Sequence, residues 1–130
     1  MLKKNITYTD YNGVERKEDF YFNLTKAELV ELNNEVSGGL QGMIEQIINT
    51  QDQPKITELF KKIVLLAYGE KSTDGKRFVK VRDGHRLSED FSQTEAFSEL
   101  FMELATNDQA ASEFVNGIVP AGVLSPVKAV

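Results

Sequence analysis

Residues 2–22 read LKKNITYTDYNGVERKEDFYF, and this stretch decides how the chain begins to fold. Apolar and polar residues alternate in both halves, with Ile6 and Tyr8 on one face of the first half and Phe20 and Phe22 on one face of the second. A period of two is typical of a half-buried strand, and Asn-Gly between two such runs indicates a hairpin. The stretch therefore predicts a β-hairpin over residues 2–22.

The positions of the apolar residues decide between two registers of this hairpin. A two-residue Asn12-Gly13 loop would pair Ile6 with Asp19 and put the two apolar faces on opposite sides. A three-residue loop over residues 11–13, with its glycine in the left-handed conformation, pairs Ile6 with Glu18 and brings the faces together. We predict the second register. Because an isolated hairpin is marginal in water, its apolar face is expected to pack on helices or on another chain.

Two helices are predicted directly after the hairpin. A capping box, Thr25-x-x-Glu28, opens the first helix, which runs to about Val36 and is stopped by Ser37-Gly38-Gly39. From Leu40 onward, apolar residues recur at i, i+3, i+4, i+7 and i+8. This spacing predicts a second amphipathic helix that ends near Asn49.

A third helix is predicted to be the most buried one. Asp52 as N-cap and Pro54 in the first turn start it, its apolar face is unusually wide, and Gly69 closes it. Residues 70–86 carry turn signals and predict a loop that could hold a small strand or ribbon around Phe78–Val81.

The carboxyl-terminal third is predicted to be helical. Ser88 can cap a short turn through Phe91, and a second capping box, Ser92-x-x-Glu95, opens a helix with a continuous apolar face. Asn107 or Asp108 starts a final helix that runs to about Asn116 and is ended by Gly117 and Pro120.

The predicted fold class is therefore α+β, mainly α, with an N-terminal β-hairpin followed by about five short helices. We expect one domain over residues 1–118, with the hairpin at 2–22 and the helical part at 25–118. Residues 119–130 are small, apolar and broken by proline, which predicts a flexible carboxyl-terminal tail.

The composition excludes several classes of function. The 130 residues include no cysteine and one histidine, and 20 acidic residues against 15 basic ones give a net charge of −5. Without cysteine there is no thiolate metal site or thiol nucleophile, and a single histidine cannot build a multi-histidine site. The acidic balance argues against nucleic-acid binding, and no apolar run is long enough for a membrane span or a signal peptide. We predict a non-enzymatic binding protein with no cofactor, metal, nucleic-acid partner or membrane partner.

Charge is segregated along the chain. Residues 61–86 hold eight basic and three acidic residues, whereas residues 87–117 hold seven acidic residues and no basic one. Glu95, Glu99 and Glu103 follow one another at i, i+4 and i+8, so they form one acidic ridge on a helix. The ridge is either a solvated face with the basic loop folded against it, or a surface for self-association or for a basic partner helix.

Residues that could support catalysis do not form a recognisable site. Gly69-Glu70-Lys71-Ser72 lacks the glycine spacing of a phosphate-binding loop and places a carboxylate where phosphate would bind. His85 could be oriented by a carboxylate as a general base, but a solvent-exposed loop histidine is the simpler interpretation. The basic residues around Phe78 predict a solvated turn rather than an RNA-binding surface.

Three blocks of sequence carry a resemblance to a known family. They are KNITYTDYNGVERKEDFYFNLTKAEL (residues 4–29), LLAYGEKSTDGKRFVK (residues 65–80) and LSEDFSQTEAFSELFMELATNDQAASEFVNGIVP (residues 87–120). Over about residues 3–120 the chain resembles tail assembly chaperones of long-tailed phages and prophages of Gram-positive bacteria. The blocks contain no catalytic signature, and the residues beyond Pro120 depart from the family pattern.

The resemblance implies a non-enzymatic assembly protein in the cytoplasm of the bacterial host. Proteins of this family coat the tape measure protein and keep it soluble before the tail tube polymerises, and they often have a longer frameshifted form. A partner of this kind, long and helical, would need an apolar groove with a charged rim. The alternative is a permanent particle component, such as a head–tail connector, tail terminator or decoration protein, to which the hairpin edge could add a strand.

The candidate partner-binding residues are the acidic ridge and the apolar residues near the carboxyl end: Glu95, Glu99, Glu103, Phe114, Val115, Ile118 and Val119. Phe97, Leu100, Phe101 and Leu104 are further candidates for the groove, although most of these are expected in the core of the domain itself. Ile118 and Val119 are expected to be exposed.

Overall fold

The computed structural model describes residues 1–120, which fold into a four-stranded sheet, a two-stranded ribbon and six helices. This confirms the predicted α+β class, with one helix more than expected. The elements are β1 (Leu2–Thr9), β2 (Glu15–Phe22), α1 (Lys26–Glu35), α2 (Gly39–Asn49), α3 (Gln53–Ala67), β3 (Tyr68–Lys71), β4 (Phe78–Val79), β5 (Val81–Arg82), β6 (His85–Arg86), α4 (Leu87–Ser92), α5 (Glu95–Thr106) and α6 (Asp108–Ile118).

The hairpin of β1 and β2 has the predicted register. Ile6 lies opposite Glu18, and the backbone N–H of Asp10 donates to the carbonyl of Val14 at 2.9 Å across the loop. Gly13 has a φ of +79°, the left-handed conformation that the three-residue loop requires. The alternation of apolar residues was therefore sufficient to select the register.

The sheet extends beyond the hairpin, which the sequence did not predict. β3 pairs with β2, and β4 pairs with β3, giving the order β1-β2-β3-β4. Gly69 allows this close approach, because a Cβ at this position would lie 2.7 Å from the carbonyl oxygen of Val79. β3 and β4 are too short to show a sequence period, so the loop prediction for residues 70–86 missed this extension. β4 does lie in the stretch Phe78–Val81 where a small strand or ribbon was expected, and the ribbon of β5 and β6 begins at the end of that stretch.

The apolar face of the hairpin packs on helices, one of the two outcomes expected. Phe22 is fully buried, and its ring centroid lies 5.2 Å from that of Phe114 on α6 and 5.8 Å from that of Phe91 on α4. Phe91 also stacks face to face on Tyr68 of β3, at 4.1 Å. An aromatic cluster at the end of the hairpin thus joins the sheet to the carboxyl-terminal helices.

The first three helices have the predicted boundaries to within one residue. The Thr25 hydroxyl accepts from the backbone N–H of Glu28, and the Glu28 carboxylate accepts from the backbone N–H of Thr25, which is the predicted capping box. Asp52 caps α3, and its carboxylate accepts from the backbone N–H of Lys55. Local capping chemistry and helical periodicity agree here, so no long-range contact was needed to predict these elements.

The second predicted capping box is wrong. Thr94, not Ser92, is the N-cap of α5, and its hydroxyl accepts from the backbone N–H of Phe97. Ser92 belongs to the last turn of α4, where its hydroxyl donates to the carbonyl of Glu89. Similarly, Ser88 lies inside α4 instead of capping it. Serine and threonine offer the same capping chemistry, so the tight junction between α4 and α5 decided which one is used.

The last helix, α6, is longer than predicted. Asn107 caps it as expected, but it continues through Gly117 to Ile118. Gly117 faces β1, and a Cβ there would lie 2.9 Å from a methyl carbon of Leu2. The glycine therefore serves helix–strand packing and not helix termination. Of the predicted tail, Val119 and Pro120 are half-buried, and residues 121–130 lie outside the described part of the chain.

A largely buried lysine side chain joins three segments of the fold. The Lys80 ammonium donates to the carbonyl of Asn23 at 2.8 Å, to the carbonyl of Leu66 at 2.7 Å and to the Glu28 carboxylate at 2.6 Å. The Lys80 side chain is only 11% exposed. It thus joins the end of the hairpin, the last turn of α3 and the first turn of α1.

Candidate functional site: an apolar groove between four helices

An apolar groove runs between α2, α3, α5 and α6, with a volume of about 300 Å³. Each helix contributes a short stretch of its apolar face, so the groove exists only in the folded chain. The lining residues are Ile44, Ile47 and Ile48 of α2, Gln53, Ile56, Thr57 and Phe60 of α3, Phe101, Leu104 and Ala105 of α5, and Asp108, Ala111, Ser112 and Val115 of α6.

Several large apolar side chains in this groove remain accessible to solvent. Ile48 is 42% exposed, and Ile47, Ile56, Phe60 and Phe101 are half-buried. Leaving this much apolar area in water is unfavourable by roughly 25 cal/mol per Å², so such a surface gains free energy when another apolar segment covers it. The groove is therefore suited to holding apolar side chains of a partner.

The groove is lined mainly by apolar side chains, with few polar ones. Its polar lining consists of Gln53, Thr57, Asp108 and Ser112, with Asp108 the one charged group among them. Throughout residues 1–120, no buried side-chain nitrogen or oxygen lacks a hydrogen-bond partner, and no cluster of three potential metal-ligating side chains occurs. The groove therefore has an apolar floor with a thin polar rim, the usual composition of a site that holds an amphipathic helix.

The acidic ridge lies on the other side of α5 and faces β1. Glu103 forms an ion pair with Lys4 at 2.8 Å, and Glu95 accepts a hydrogen bond from the Tyr11 hydroxyl at 2.8 Å. Glu99 is exposed and has no ion pair within the described residues. Helical geometry places the ridge roughly opposite Phe101 and Leu104, which face the groove. The hairpin, and not the basic loop, supplies the neighbouring positive charge.

Two cations of the basic loop form ion pairs away from the acidic ridge. Lys80 pairs with Glu28, and Arg82 pairs with Glu70 at 3.1 Å. His85 is exposed, with its Nε2 3.0 Å from Asp90, and among residues 1–120 no serine or threonine hydroxyl is hydrogen-bonded to it. Of the two alternatives for the ridge, the one with the basic loop folded against it is wrong, because Glu95 and Glu103 contact Tyr11 and Lys4 of the hairpin.

The apolar carboxyl-terminal candidates are mostly interior. Phe114 and Ile118 are 2% and 0% exposed, and Val115 is 4% exposed. The expected exposure of Ile118 is wrong, because α6 packs this residue into the core shared with the hairpin. Val119 is half-buried. Of this set only Val115 lines the groove, together with Phe101 and Leu104 from the further candidates.

The groove residues of α2 and α3 were not identified as binding candidates from the sequence. By their spacing, Ile47 and Ile48 belong to the apolar stripe of α2, and Ile56 and Phe60 belong to the wide apolar face of α3. The sequence signal for these groove residues was the width of the apolar faces of α2 and α3, because a face that wide is not covered by one neighbouring helix. Which part of each face stays open depends on the packing of α5 and α6.

None of the helices in the described part of the chain combines the length and apolar character that a bilayer span requires.

Neither the curated proteins nor the solved structures gave a significant match to the chain. A protein-family model described as "Phage tail assembly chaperone" matches residues 1–129, almost the whole sequence. The chain therefore belongs to the phage tail assembly chaperone family.

Proposed function

We propose that this chain binds the tape measure protein of a phage or prophage and keeps it soluble before the tail tube polymerises. The groove between α2, α3, α5 and α6 is the observation that carries the proposal. A tape measure protein is expected to be long and helical, and an amphipathic helix can insert apolar residues at i, i+3, i+4 and i+7 into such a groove. The setting would be the cytoplasm of a bacterial host, which by the resemblance of the sequence would be Gram-positive.

The size of the groove supports weak and reversible binding. A volume of about 300 Å³ accommodates a few apolar side chains and not a whole helix. Each contact would therefore contribute modestly, and many copies along one long partner would hold it by avidity. Weak single contacts also suit a chaperone that must leave when tube subunits replace it.

The acidic ridge enters the proposal as a second surface. Exposed charges mainly speed association and orient partners, and they add little affinity. Because Glu95 and Glu103 already have contacts with the hairpin, Glu99 is the ridge member most available to a basic partner segment or to a second copy of the chain.

The proposal is tested by co-expressing the chain with the tape measure protein and measuring the soluble complex by size-exclusion chromatography with light scattering. Wild type should give a complex with several copies of the chain per partner. Ile48→Glu should abolish it, because a carboxylate would enter the apolar groove. Val30→Glu is the matched control, since Val30 is 59% exposed on α1, away from the groove.

A complex that survives Ile48→Glu, in a variant with an unchanged melting temperature, would exclude the groove as the binding site. The ridge is tested by replacing Glu95, Glu99 and Glu103 together by Gln. An unchanged association rate at low salt would remove the ridge from the proposal.

The composition of purified phage particles separates chaperone from permanent component. A chaperone is expected to be absent from finished particles. Stoichiometric amounts of the chain in the particle would instead favour a connector, terminator or decoration protein.

A further inference from the structure

One edge of β1 has no neighbouring strand within residues 1–120. β1 is the outermost strand in the order β1-β2-β3-β4, and its pairing with β2 runs without a bulge from Leu2 to Thr9. An unpaired edge of eight residues is a template on which a further strand can form. The sheet can therefore accept one more strand beside β1.

The backbone groups of Asn5 and Thr7 point out of this edge. The Asp10 N–H donates to the Val14 carbonyl across the hairpin at 2.9 Å, so the backbone of residue 10 faces β2. In an antiparallel pair the residues that face the partner strand alternate, which gives residues 8, 6, 4 and 2 the same direction. Asn5 and Thr7 consequently direct their N–H and C=O groups away from β2, toward the position of an added strand.

Helix α5 forms a second wall along the same edge. A cleft of about 310 Å³ lies between the strand and the helix. Its lining residues are Asn5, Ile6 and Thr7 of β1 and Glu99, Met102, Glu103 and Thr106 of α5. The α5 residues recur at i, i+3, i+4 and i+7, so they share one helix face. A cleft between a strand edge and a helix face suits an extended peptide that adds to the sheet.

This cleft is separate from the apolar groove. On α5 the groove takes Phe101, Leu104 and Ala105, which lie on the helix face opposite to the one that lines the cleft. No residue lines both sites. A ligand of the cleft is therefore distinct from the helix proposed for the groove, and it adds a second binding site to the proposed function.

The chemistry of the cleft favours a basic segment. Glu103 is paired with Lys4 at 2.8 Å, whereas Glu99 is exposed and has no ion pair within the described residues. Met102 is 58% exposed beside them. Side chains of an added strand face α5 at every second position. The complementary segment thus carries Lys or Arg opposite Glu99 and, two residues away, an apolar side chain over Met102.

A second copy of the chain fits this edge less well. If two β1 edges paired antiparallel, the two-fold axis would be normal to the sheet and would keep both α5 helices on the same face. The two acidic ridges would then lie side by side, and their like charges would repel. An extended basic segment of another protein meets no such repulsion.

We propose that the cleft between β1 and α5 binds an extended basic segment of a partner protein, which adds a fifth strand to the sheet. The main chain of the segment pairs with Asn5 and Thr7, and its Lys or Arg side chain approaches Glu99. Main-chain hydrogen bonds supply affinity, and the alternating side chains supply specificity.

Hydrogen exchange measured by NMR tests this strand addition. The probe is an eight-residue synthetic peptide with blocked ends, in which Lys and Val alternate on one strand face and Thr occupies the other. At millimolar probe and low salt, the amide protons of Asn5 and Thr7 should exchange several-fold more slowly, because they would be bonded to the new strand. The amide protons of Lys4 and Ile6 face β2 and should not change.

Variants of the chain identify the side chain that recognises the charge. Glu99→Lys should weaken binding of the probe about fivefold, because an attractive pair becomes a repulsive one. Glu58→Lys is the matched control, since it changes the net charge equally at an exposed position on α3 and should bind the probe as wild type does. Ile48→Glu should also bind normally, because Ile48 lines the groove and not the cleft.

A second probe separates strand pairing from attraction between charges. It has the same sequence, but the backbone nitrogens that would donate to β1 are methylated, so every charge is kept. Its affinity should be about tenfold lower, because each lost main-chain hydrogen bond weakens the complex.

Binding of the first probe without slower exchange at Asn5 and Thr7 would overturn the proposal. Equal binding of the methylated probe, or no binding at millimolar concentration, would do the same. If protection of these two amides grew with the concentration of the chain alone, the occupant would be a second copy and not a basic partner.

The proposed function of the groove is tested separately, because none of these measurements uses the tape measure protein. A chain that fails to bind the probe can still hold that protein in the groove. If Ile48→Glu abolished binding of the probe, the probe would occupy the groove, and the cleft would be excluded as its site.

Discussion

Replacing Lys80 by methionine tests whether the buried ammonium holds the fold together. Methionine keeps the apolar stem of the side chain and removes only the charge. The change deletes three hydrogen bonds of 2.6–2.8 Å and leaves the Glu28 carboxylate without its cation. The carbonyls of Asn23 and Leu66 lose a donor in the same step.

The expected loss of stability is about 3 kcal/mol. Removing one member of a buried ion pair costs roughly 3–5 kcal/mol, and the lower end applies because the Glu28 side chain is 32% exposed. A domain of this size is stable by roughly 5–15 kcal/mol, so the variant should remain folded at 25 °C. Its melting temperature should fall by about 10 °C.

Urea unfolding followed by circular dichroism measures this loss. Lys76→Met is the matched control, because Lys76 is exposed in the same loop and should change stability by about 0.5 kcal/mol or less. A loss below about 1 kcal/mol in Lys80→Met would show that the ammonium contributes no more than a surface lysine, and the reasoning would be refuted.

The acid side of the stability profile gives a second measurement on the same pair. Burial would raise the pKa of the Glu28 carboxyl, but hydrogen bonds from Lys80 and from the Thr25 backbone outweigh it and hold that pKa below its ordinary value. The carboxylate therefore contributes stability above its unfolded pKa of about 4.3, and this contribution is lost as pH falls through the lower folded pKa. Lys80→Met should flatten this acid dependence, whereas Lys76→Met should leave it unchanged.

Three further predictions concern single contacts. Gly69→Ala should destabilise the fold by about 1–3 kcal/mol in urea unfolding, because the new methyl group would meet the Val79 carbonyl; a neutral effect would contradict the close pairing of β3 and β4. Thr94→Ala should lower the free energy of unfolding by about 1 kcal/mol in the same assay, and Ser92→Ala should lower it clearly less. If Ser92→Ala had the larger effect, Ser92 and not Thr94 would be the N-cap of α5. Burial raises the pKa of the Tyr68 phenol to about 12, so stability should fall between pH 10 and 12 as the unfolded chain ionises first, and Tyr68→Phe should reduce this loss; an identical alkaline profile in the variant would contradict it.

The elements that the sequence predicted are those governed by neighbours in the chain. The hairpin register followed from alternation, and the boundaries of α1, α2 and α3 followed from caps and helical spacing. One error occurred where the sequence offers two equivalent capping residues. Ser92 and Thr94 are both good N-caps, and only the packing of α4 against α5 selects between them.

The position of the groove was not predicted from the sequence. The resemblance implied an apolar groove with a charged rim; the groove observed has one charged lining residue, Asp108, and Phe101, Leu104 and Val115 are among its lining residues. The sequence could not show that Phe114 and Ile118 are buried by the hairpin, nor that the open parts of α2 and α3 complete the groove. Apolar side chains on a helix look alike in sequence whether another helix covers them or not.

By itself, the sequence determined the class of this protein: a small acidic α+β domain whose three blocks of residues resemble phage tail assembly chaperones. It determined these features because they depend on composition, on short-range periodicity and on strings of residues. Only the tertiary structure decided that Glu95 and Glu103 of the acidic ridge contact the hairpin and that four helices share an apolar groove. The physical reason is that a groove is a gap between elements, and no single segment of sequence encodes what its neighbours leave uncovered.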